Sequence, residues 1–214
     1  MLRVNVVTIF PEFFTTPLAL SILGRAKSAG LVDYQVVDLR DFTHDRHRTV
    51  DDAPYGGGAG MVMKPEPFFE AVESLGAAAP IVLLSARGRR FQQSDAARFA
   101  TGEHLTLLCG HYKDVDQRVA DHLATLEISV GDFVLTGGEP AALVVLDATV
   151  RLLPGAMSDL ESARTDSFYA TSGISAPSYT RPPVFRGHEV PEVLLSGDHA
   201  RIAAWRRAEA DRRT

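Results

Sequence analysis

Short runs of β-branched and aliphatic residues alternate with amphipathic segments along most of the chain. The apolar runs are continuous, which is typical of strands that a parallel sheet buries on both faces. They predict strands at 3–9, 34–39, 80–85, 105–109 and 126–130. The amphipathic segments between them predict helices near 18–29, 66–75, 94–100, 115–123 and 140–152. This alternation indicates an α/β fold in which helices cover both faces of a parallel sheet.

The pattern changes beyond the last of these helices. Residues 158–185 are rich in Ser, Thr, Ala and Pro and lack apolar periodicity, which indicates a linker. Residues 186–214 contain a helical segment with an N-cap at Ser196 or Asp198 and few apolar residues to bury. We therefore predict an α/β domain at 1–157, a flexible linker and a small helical domain.

Glycines cluster where three of the predicted strands end. The segment EISVGDFVLTGGE begins as a strand, yet Gly131, Gly137 and Gly138 leave no side chains to fill a core. The loops LSARGRRF and CGHYKDVDQR follow two other strands, and ligands of parallel α/β sheets bind at the carboxyl ends of strands. Such glycine-containing loops suit a flat, mostly neutral ligand held by backbone groups, such as an adenine ring. The alternative is that the glycines only permit tight turns.

Two common ligand motifs are missing from the sequence. The cluster PYGGGAGM (54–61) has neither the Gly-Lys-Ser/Thr ending of a P-loop nor the glycine spacing of a dinucleotide fold, so it is interpreted as a mobile or tightly folded loop. No Cys and His residues stand at zinc-site spacing, and Cys109 is the only cysteine. A single thiol fits a reducing cytoplasm.

Composition narrows the class of protein further. An apolar fraction of 45% and a charged fraction of 23% are ordinary for a globular protein, and no apolar stretch reaches the roughly 18 residues that a membrane helix needs. The net charge of -5 argues against a protein that grips nucleic acid over most of its surface. Residues 176–214, however, contain seven Arg and five acidic residues. This excess of positive charge indicates either a local contact with a polyanion or a charged helix that only faces solvent.

Taken together, the motifs resemble one known family. The segments that carry the resemblance are PYGGGAGM, LSARGR, CGHYKDVDQR, EISVGDFVLTGGE, RLLPGAM, DSF, YTRP and VPEVLLSGDHARIAAWR. In order and approximate spacing they are similar to the bacterial tRNA (guanine-N1-)-methyltransferases, over Met1 to Arg206. The resemblance implies a SPOUT-type parallel sheet with a deep trefoil knot and a small C-terminal helical domain. Periodicity alone does not reveal a knot, since knots are almost absent from proteins.

The resemblance also implies the ligand and the reaction. S-adenosylmethionine is expected to lie bent in the knot between the three loops, where glycines let chain cross chain with a ligand between them. Its methyl group goes to N1 of the guanosine at tRNA position 37, just 3′ of the anticodon. The residues expected to line the cofactor pocket are Leu84, Ser85, Gly110, Val130, Gly131, Asp132, Phe133, Val134, Leu135, Gly137 and Gly138.

Two residues match the family's catalytic groups. N1 of neutral guanine carries a proton, so a base must remove it, and Asp166 matches the proposed base. Arg151 matches the arginine that stabilises negative charge on guanine O6. Without the resemblance, Asp166 would be interpreted as a cap or a solvated charge, and Arg151 as a cation complementing a helix C-terminus.

Partners are implied in the same way. The linker and the small domain would clamp the anticodon arm of tRNA, whose bases are read when they leave the stack. The expected phosphate contacts are Arg181, Arg186, Arg201, Arg206 and Arg207. The resemblance further implies a cytoplasmic homodimer with no membrane or DNA partner. The family is also associated with magnesium, although no Asp/Glu cluster here marks a protein-made site.

The chain departs from the family pattern at one loop. Where Gly-Arg-Tyr-Glu-Gly is usual, it has Gly110, His111, Tyr112, Lys113 and Asp114, which alters one wall of the expected pocket. Relatives also usually continue with a basic helical tail. A chain without this tail would be expected to lose tRNA affinity first. Two alternatives stay open: a ribose 2′-O-methyltransferase of the same class, and an RNA-binding module that holds the cofactor without turnover.

Overall fold

The computed structural model describes residues 1–157, 166–169 and 173–212. The chain divides into two compact units, Met1–Ser158 and Asp159–Thr214. In the described part of the chain no helix has the length and apolarity needed to cross a membrane.

The first unit alternates strands and helices as the apolar pattern predicts. Its strands are β1 (Leu2–Thr8), β2 (Val32–Asp38), β3 (Asp51–Asp52), β4 (Val62–Met63), β5 (Ile81–Arg90), β6 (His104–Cys109), β7 (Asp114–Val115) and β8 (Leu126–Ser129). Its α-helices are α1 (Ser21–Ser28), α2 (Pro65–Ser74), α3 (Gln93–Ala100), α4 (Gln117–His122) and α5 (Glu139–Val150). Short 3-10 helices lie at Pro11–Phe14, Pro17–Ala19 and Leu39–Phe42.

Five of these strands form a central parallel sheet in the order β2-β1-β6-β5-β8. Apolar side chains leave the sheet on both faces: Leu107 of β6 packs in one buried cluster with α1, α3 and α5, and Leu108 packs in the other with α2 and α4. Because both faces are covered, the strands need continuous apolar runs. The predicted parallel α/β sheet is confirmed.

Strand β5 is longer and less regular than its sequence predicts. Leu84 pairs with Ile128 of β8, and after a detour of the chain Arg89 pairs with the same residue. Inside the detour, β8 runs so close to Gly88 that an added Cβ would lie 2.6 Å from the carbonyl carbon of Ile128. The predicted end at Ser85 is therefore only the end of the apolar part, and polar residues continue the strand to Arg90.

A second, small sheet in the order β3-β4-β7 frames the glycine cluster. Its strands are two residues long, too short to show a period in the sequence. The glycines at 56–58 and 60 have φ values from 76° to 117°, a region that favours glycine. The cluster is thus a tightly turned loop, and it is tied down where the Lys113 N–H donates to the Met61 carbonyl at 3.1 Å.

The second unit contains a hairpin of β9 (Val184–Phe185) and β10 (His188–Glu189), followed by helices α6 (Glu192–Leu195) and α7 (His199–Asp211). Arg186 and Gly187 form the turn with φ values of 51° and 82°, as a two-residue hairpin favours. The hairpin is too short to be predicted from the sequence. Of the two predicted N-caps, Asp198 is confirmed for α7, since its carboxylate accepts from the N–H groups of Ala200 and Arg201 at 3.1 Å.

The predicted linker lies partly outside the described residues, at 158–165 and 170–172. Its other residues belong to the same compact unit as the hairpin and helices. The division into three parts stays a prediction.

Candidate functional site

A cavity of about 240 Å³ lies where three neighbouring strands of the central sheet end. Its walls are the loops that follow the apolar part of β5, β6 and β8. Ten of the eleven residues predicted to contact a cofactor line it: Leu84, Ser85, Gly110, Val130, Gly131, Phe133, Val134, Leu135, Gly137 and Gly138. The structure therefore brings together residues from three distant segments of the chain, while their role toward a ligand stays a prediction.

Asp132 is the predicted residue that does not line this cavity. Its side chain is 89% exposed and forms an ion pair with Arg90. The hydrogen bond from Arg90 holds the pKa of the Asp132 carboxyl below its ordinary value. The motif predicts a continuous stretch of contacts, but in the structure the Asp132 side chain pairs with Arg90 at the surface and does not line the cavity.

The three glycines of the β8 loop have different reasons to lack a side chain. A Cβ on Gly138 would lie 2.8 Å from the Cα of Cys109 and 3.1 Å from the backbone N of Gly110, so here chain does pass against chain. A Cβ on Gly131 would instead lie 2.9 Å from Cζ of the exposed Phe133 ring. At Gly137 it would overlap the side chain of His111.

Two other glycines make close approaches that the sequence did not predict, although Gly110 is among the residues predicted to line the pocket. Gly88 meets the backbone of β8, as described above, and a Cβ on Gly110 would lie 2.7 Å from Cγ2 of Val115. Both stand inside the quoted motifs LSARGR and CGHYKDVDQR. Their presence in these motifs could indicate the close approaches, but a lone glycine in a polar loop is more often a turn residue.

Charged and polar side chains form one part of the cavity wall. Arg87 donates to Asp114 at 3.0 Å and lies 4.0 Å from a carboxylate oxygen of Glu127. Lys113 and His111 line the same wall. Since Arg87 is half exposed, we expect its ion pairs to shape the wall more than they stabilise the fold.

Behind this wall lies a buried carboxylate. Glu139, only 3% exposed, is the first residue of α5 and accepts a hydrogen bond from Thr8 Oγ1 at 2.7 Å. His111 Nδ1 lies 3.8 Å from its other oxygen. Burial, and secondarily the charge of Glu139, raises the pKa of the Cys109 thiol well above its usual range. This cysteine is therefore a neutral core residue and not a nucleophile.

The second unit contains its own cavity, of about 980 Å³. Asp166 lines it together with Arg181, Arg206 and Arg207. Apolar side chains of Val190, Leu194 and Ile202 and the ring of Tyr179 complete the lining. One carboxylate that can accept hydrogen bonds, three guanidinium groups that can donate them and an aromatic ring that can stack on a base suit a nucleotide.

Local hydrogen bonds fix the segment that carries Asp166. The N–H of Tyr169 donates to the Asp166 carbonyl at 3.5 Å, and the Phe168 N–H donates to the Gly173 carbonyl at 2.9 Å. The backbone N–H of Ser175 donates to Ser167 Oγ at 2.9 Å. The exposed Asp166 thus stands directly before residues that are hydrogen-bonded to Gly173 and Ser175.

The remaining predicted residues lie elsewhere. Arg186 is in the hairpin turn with its guanidinium 5.3 Å from the Phe185 ring centroid, and Arg201 is in the first turn of α7. Neither lines the cavity of the second unit. Arg151 caps the C-terminus of α5 in the first unit, the position its alternative interpretation describes. The proposed roles of these residues stay predictions.

The described residues offer no metal centre. Within 1–157, 166–169 and 173–212 no group of three or more His, Cys, Asp or Glu side chains is placed to hold an ion.

Comparison with known proteins finds relatives over the whole chain. The family model described as tRNA (Guanine-1)-methyltransferase TrmD matches residues 2–214. A tRNA (guanine-N(1)-)-methyltransferase of Dehalococcoides mccartyi is 54% identical over 217 residues, which cover 100% of this chain and 87% of the relative. Proteins of the same name from Gloeobacter violaceus and Brevibacillus brevis are 54% and 53% identical and cover 100% of this chain and 95% and 88% of their own lengths.

Proposed function

The chain belongs to the tRNA (guanine-1)-methyltransferase family, and we propose how its two cavities serve the methyl transfer for which the family is named. The protein is an enzyme that transfers a methyl group from S-adenosylmethionine to N1 of the guanosine at tRNA position 37. The cavity of the first unit is the cofactor pocket, and the cavity of the second unit receives part of the tRNA. We expect the reaction to take place in the cytoplasm, because tRNA is its substrate.

The observation that carries the assignment of the cofactor pocket is the convergence of three strand ends. Loops from β6, β5 and β8 line one small cavity, and the edge formed by the carboxyl ends of parallel strands is where such sheets bind ligands. Its lining is mostly backbone, glycine and aliphatic side chains, which suits an adenosine moiety held by backbone groups. When bound, S-adenosylmethionine supplies an electrophilic methyl group on a sulfonium.

The protein's own contribution to catalysis is proton removal and charge stabilisation. The Asp166 carboxylate accepts the N1 proton of guanine as the new N–C bond forms and the S–C bond of the donor breaks. Arg151 stabilises the negative charge that develops on O6. Arg181, Arg206 and Arg207 hold phosphates of the anticodon arm beside Asp166, in support of which all three line the same cavity as that carboxylate.

A trefoil knot and a homodimer complete the proposal. The double pairing of Ile128 and the contact of β8 with Gly88 support a chain crossing at the cofactor pocket. In support of a dimer, the loop after β8 exposes Phe133 by 56% and Val134 by 87%, and a second copy would cover such apolar side chains. Magnesium has no fitting set of ligands among the described residues, so no step is assigned to it.

The reaction is tested with labelled cofactor and two tRNA transcripts that carry G or A at position 37. We expect label only on the G transcript, recovered as N1-methylguanosine after nuclease digestion. Label on the ribose of both transcripts would mean a 2′-O-methyltransferase. Cofactor binding by calorimetry without label transfer would mean an RNA-binding module.

A further inference from the structure

The buried carboxylate behind the cofactor pocket has no role in the reaction described above. Glu139 lies at the start of α5 with its side chain 4% exposed. Thr8 Oγ1 donates to Oε1 at 2.7 Å, and the same hydroxyl oxygen accepts from the Phe10 N–H at 3.0 Å. Glu139 is therefore held by β1 on one side and by its own helix on the other.

A histidine of the pocket wall faces the free side of this carboxylate. His111 Nδ1 is buried and has no hydrogen-bond partner among the residues that the structure describes, and it lies 3.8 Å from Glu139 Oε2. That distance exceeds a hydrogen bond but allows an ion pair when the ring carries a proton. An ionised carboxylate in a core is costly without a cation, and His111 is the side chain placed to supply that cation to Glu139.

Gly137 keeps this contact open. An ideal Cβ on Gly137 would overlap both Glu139 Oε2 and His111 Nδ1, so any larger residue would separate them. His111 and Gly137 also form an isolated antiparallel bridge, and the Gly138 N–H donates to the Gly110 carbonyl at 2.8 Å. The two loops that carry these residues are two of the three walls of the cofactor pocket.

Aromatic rings fix the orientation of the histidine. Phe10 meets the His111 ring edge to face with centroids 5.0 Å apart, and Tyr112 does so at 5.3 Å. The His111 backbone N–H points to the Met63 sulfur at 3.0 Å. The imidazole is thus packed against two aromatic rings, with its Nδ1 facing Glu139.

We infer that His111 and Glu139 are positioning residues for the cofactor. Their ion pair, formed across the space that Gly137 leaves, holds the Gly110–Lys113 loop in place as a wall of the S-adenosylmethionine pocket. The inference rests on the proposed function of that pocket. It predicts an effect on cofactor affinity and KM, and little effect on kcat at saturating cofactor, because neither side chain acts on the reacting atoms.

The test compares Glu139→Gln with a matched control. Glu139→Gln keeps the shape and an acceptor for Thr8 but removes the charge. We expect calorimetry to show about tenfold weaker cofactor binding, the equivalent of ~1.4 kcal/mol, with kcat within about twofold of wild type. The control is Glu70→Gln, which breaks the surface pair of Glu70 with His44 Nε2 at 2.9 Å and should change neither quantity.

Variants of the half-buried His111 test whether its charge supports cofactor binding, even if Glu139→Gln fails to fold. His111→Arg retains a cation and should bind cofactor within about threefold of wild type, whereas His111→Gln should lose about tenfold. The double variant His111→Gln/Glu139→Gln should be no weaker than either single variant, since both changes remove one interaction.

Two results would overturn the inference. One is wild-type cofactor affinity in Glu139→Gln, and the other is equal weakening in His111→Arg and His111→Gln, which would point to packing and not to charge. A wild-type protein that binds no S-adenosylmethionine would be a different result, because it would overturn the proposed function of the pocket itself.

Discussion

Replacing Gly138 by alanine tests whether chain crosses chain at the cofactor pocket. Gly138 precedes α5 with φ of −78° and ψ of −11°, values that alanine adopts without strain. Any cost of the change must therefore come from contacts of the added methyl group. Those contacts are with backbone: the new Cβ would lie 2.8 Å from the Cα of Cys109 and 3.1 Å from the Gly110 nitrogen.

The size of the effect follows from these distances. Non-bonded carbons are at optimal separation at about 3.5–4.0 Å, so the methyl group intrudes by roughly 0.7 Å on strand β6, which lies in the middle of the sheet. Overpacking of this kind costs about 1–3 kcal/mol, and loss of the flexible glycine from the unfolded chain returns about 0.4–1 kcal/mol. A net destabilisation of about 1–2 kcal/mol lowers the melting temperature of a chain this size by roughly 2–8 °C.

Circular dichroism melting with calorimetric cofactor titration measures both consequences. We expect Gly138→Ala to melt lower and to bind S-adenosylmethionine more weakly, since β6 and the β8 loop both line the pocket. The control is Gly102→Ala, whose added Cβ would lie 3.4 Å from its nearest neighbour; it should not lower the melting temperature, since the loss of glycine from the unfolded chain stabilises by about 0.4–1 kcal/mol. If Gly138→Ala melts within about 1 °C of wild type, the backbone contact at this position does not constrain the fold.

Four further predictions concern the pocket, the base, the assembly and acid stability. Gly131→Val should abolish cofactor binding in calorimetry, because the added side chain displaces the Phe133 ring from the pocket wall; unchanged affinity would make Gly131 a turn residue only. Asp166→Asn should keep cofactor affinity while turnover falls by about 10²- to 10⁴-fold, and turnover within threefold of wild type would end its assignment as base. Asp166→Ala and Gly131→Val chains, each inactive alone, should recover up to about a quarter of wild-type activity when mixed, if dimers share their sites; a purified, inactive heterodimer would argue against that. The Asp95 carboxylate accepts hydrogen bonds from Arg89 at 2.7 Å, and these lower the pKa of Asp95. The contribution of this ion pair to folding stability is therefore full above about pH 4 and is lost as the pH falls through the lowered pKa. Asp95→Ala should therefore lower the urea midpoint at pH 7 more than at pH 3, whereas an equal loss at both would exclude the ion pair.

The sheet was predictable from sequence because its strands are buried on both faces. Neighbouring residues such as Leu107 and Leu108 both enter a core, and this produces the continuous apolar runs. The polar extension of β5 was not predictable, since Arg89 and Arg90 pair with β8 through backbone contacts that leave no apolar pattern. Two-residue strands such as β3 likewise show no period.

The motifs predicted which loops meet, but not which way each side chain points. Asp132 lies within a motif that lines the pocket, yet it turns outward to Arg90. The sequence does not mark Glu139 as buried, because a carboxylate at a helix start is ordinarily an exposed charge near the helix dipole. Its burial depends on Thr8, 131 residues earlier in the sequence, and such a contact exists only in the folded chain.

The reactivity of Cys109 toward a thiol reagent can be used to measure how often the folded protein opens. The thiol is the only one in the chain, it is fully buried, and its Cα is the nearest atom that a Cβ added to Gly138 would meet. A thiol reagent can reach it only when the fold around it opens, and the β8 loop, which passes against the end of β6, is part of that cover. The rate at which the native protein is labelled therefore measures how often the fold around Cys109 opens, and its slowing by S-adenosylmethionine would measure how much the bound ligand reduces that opening.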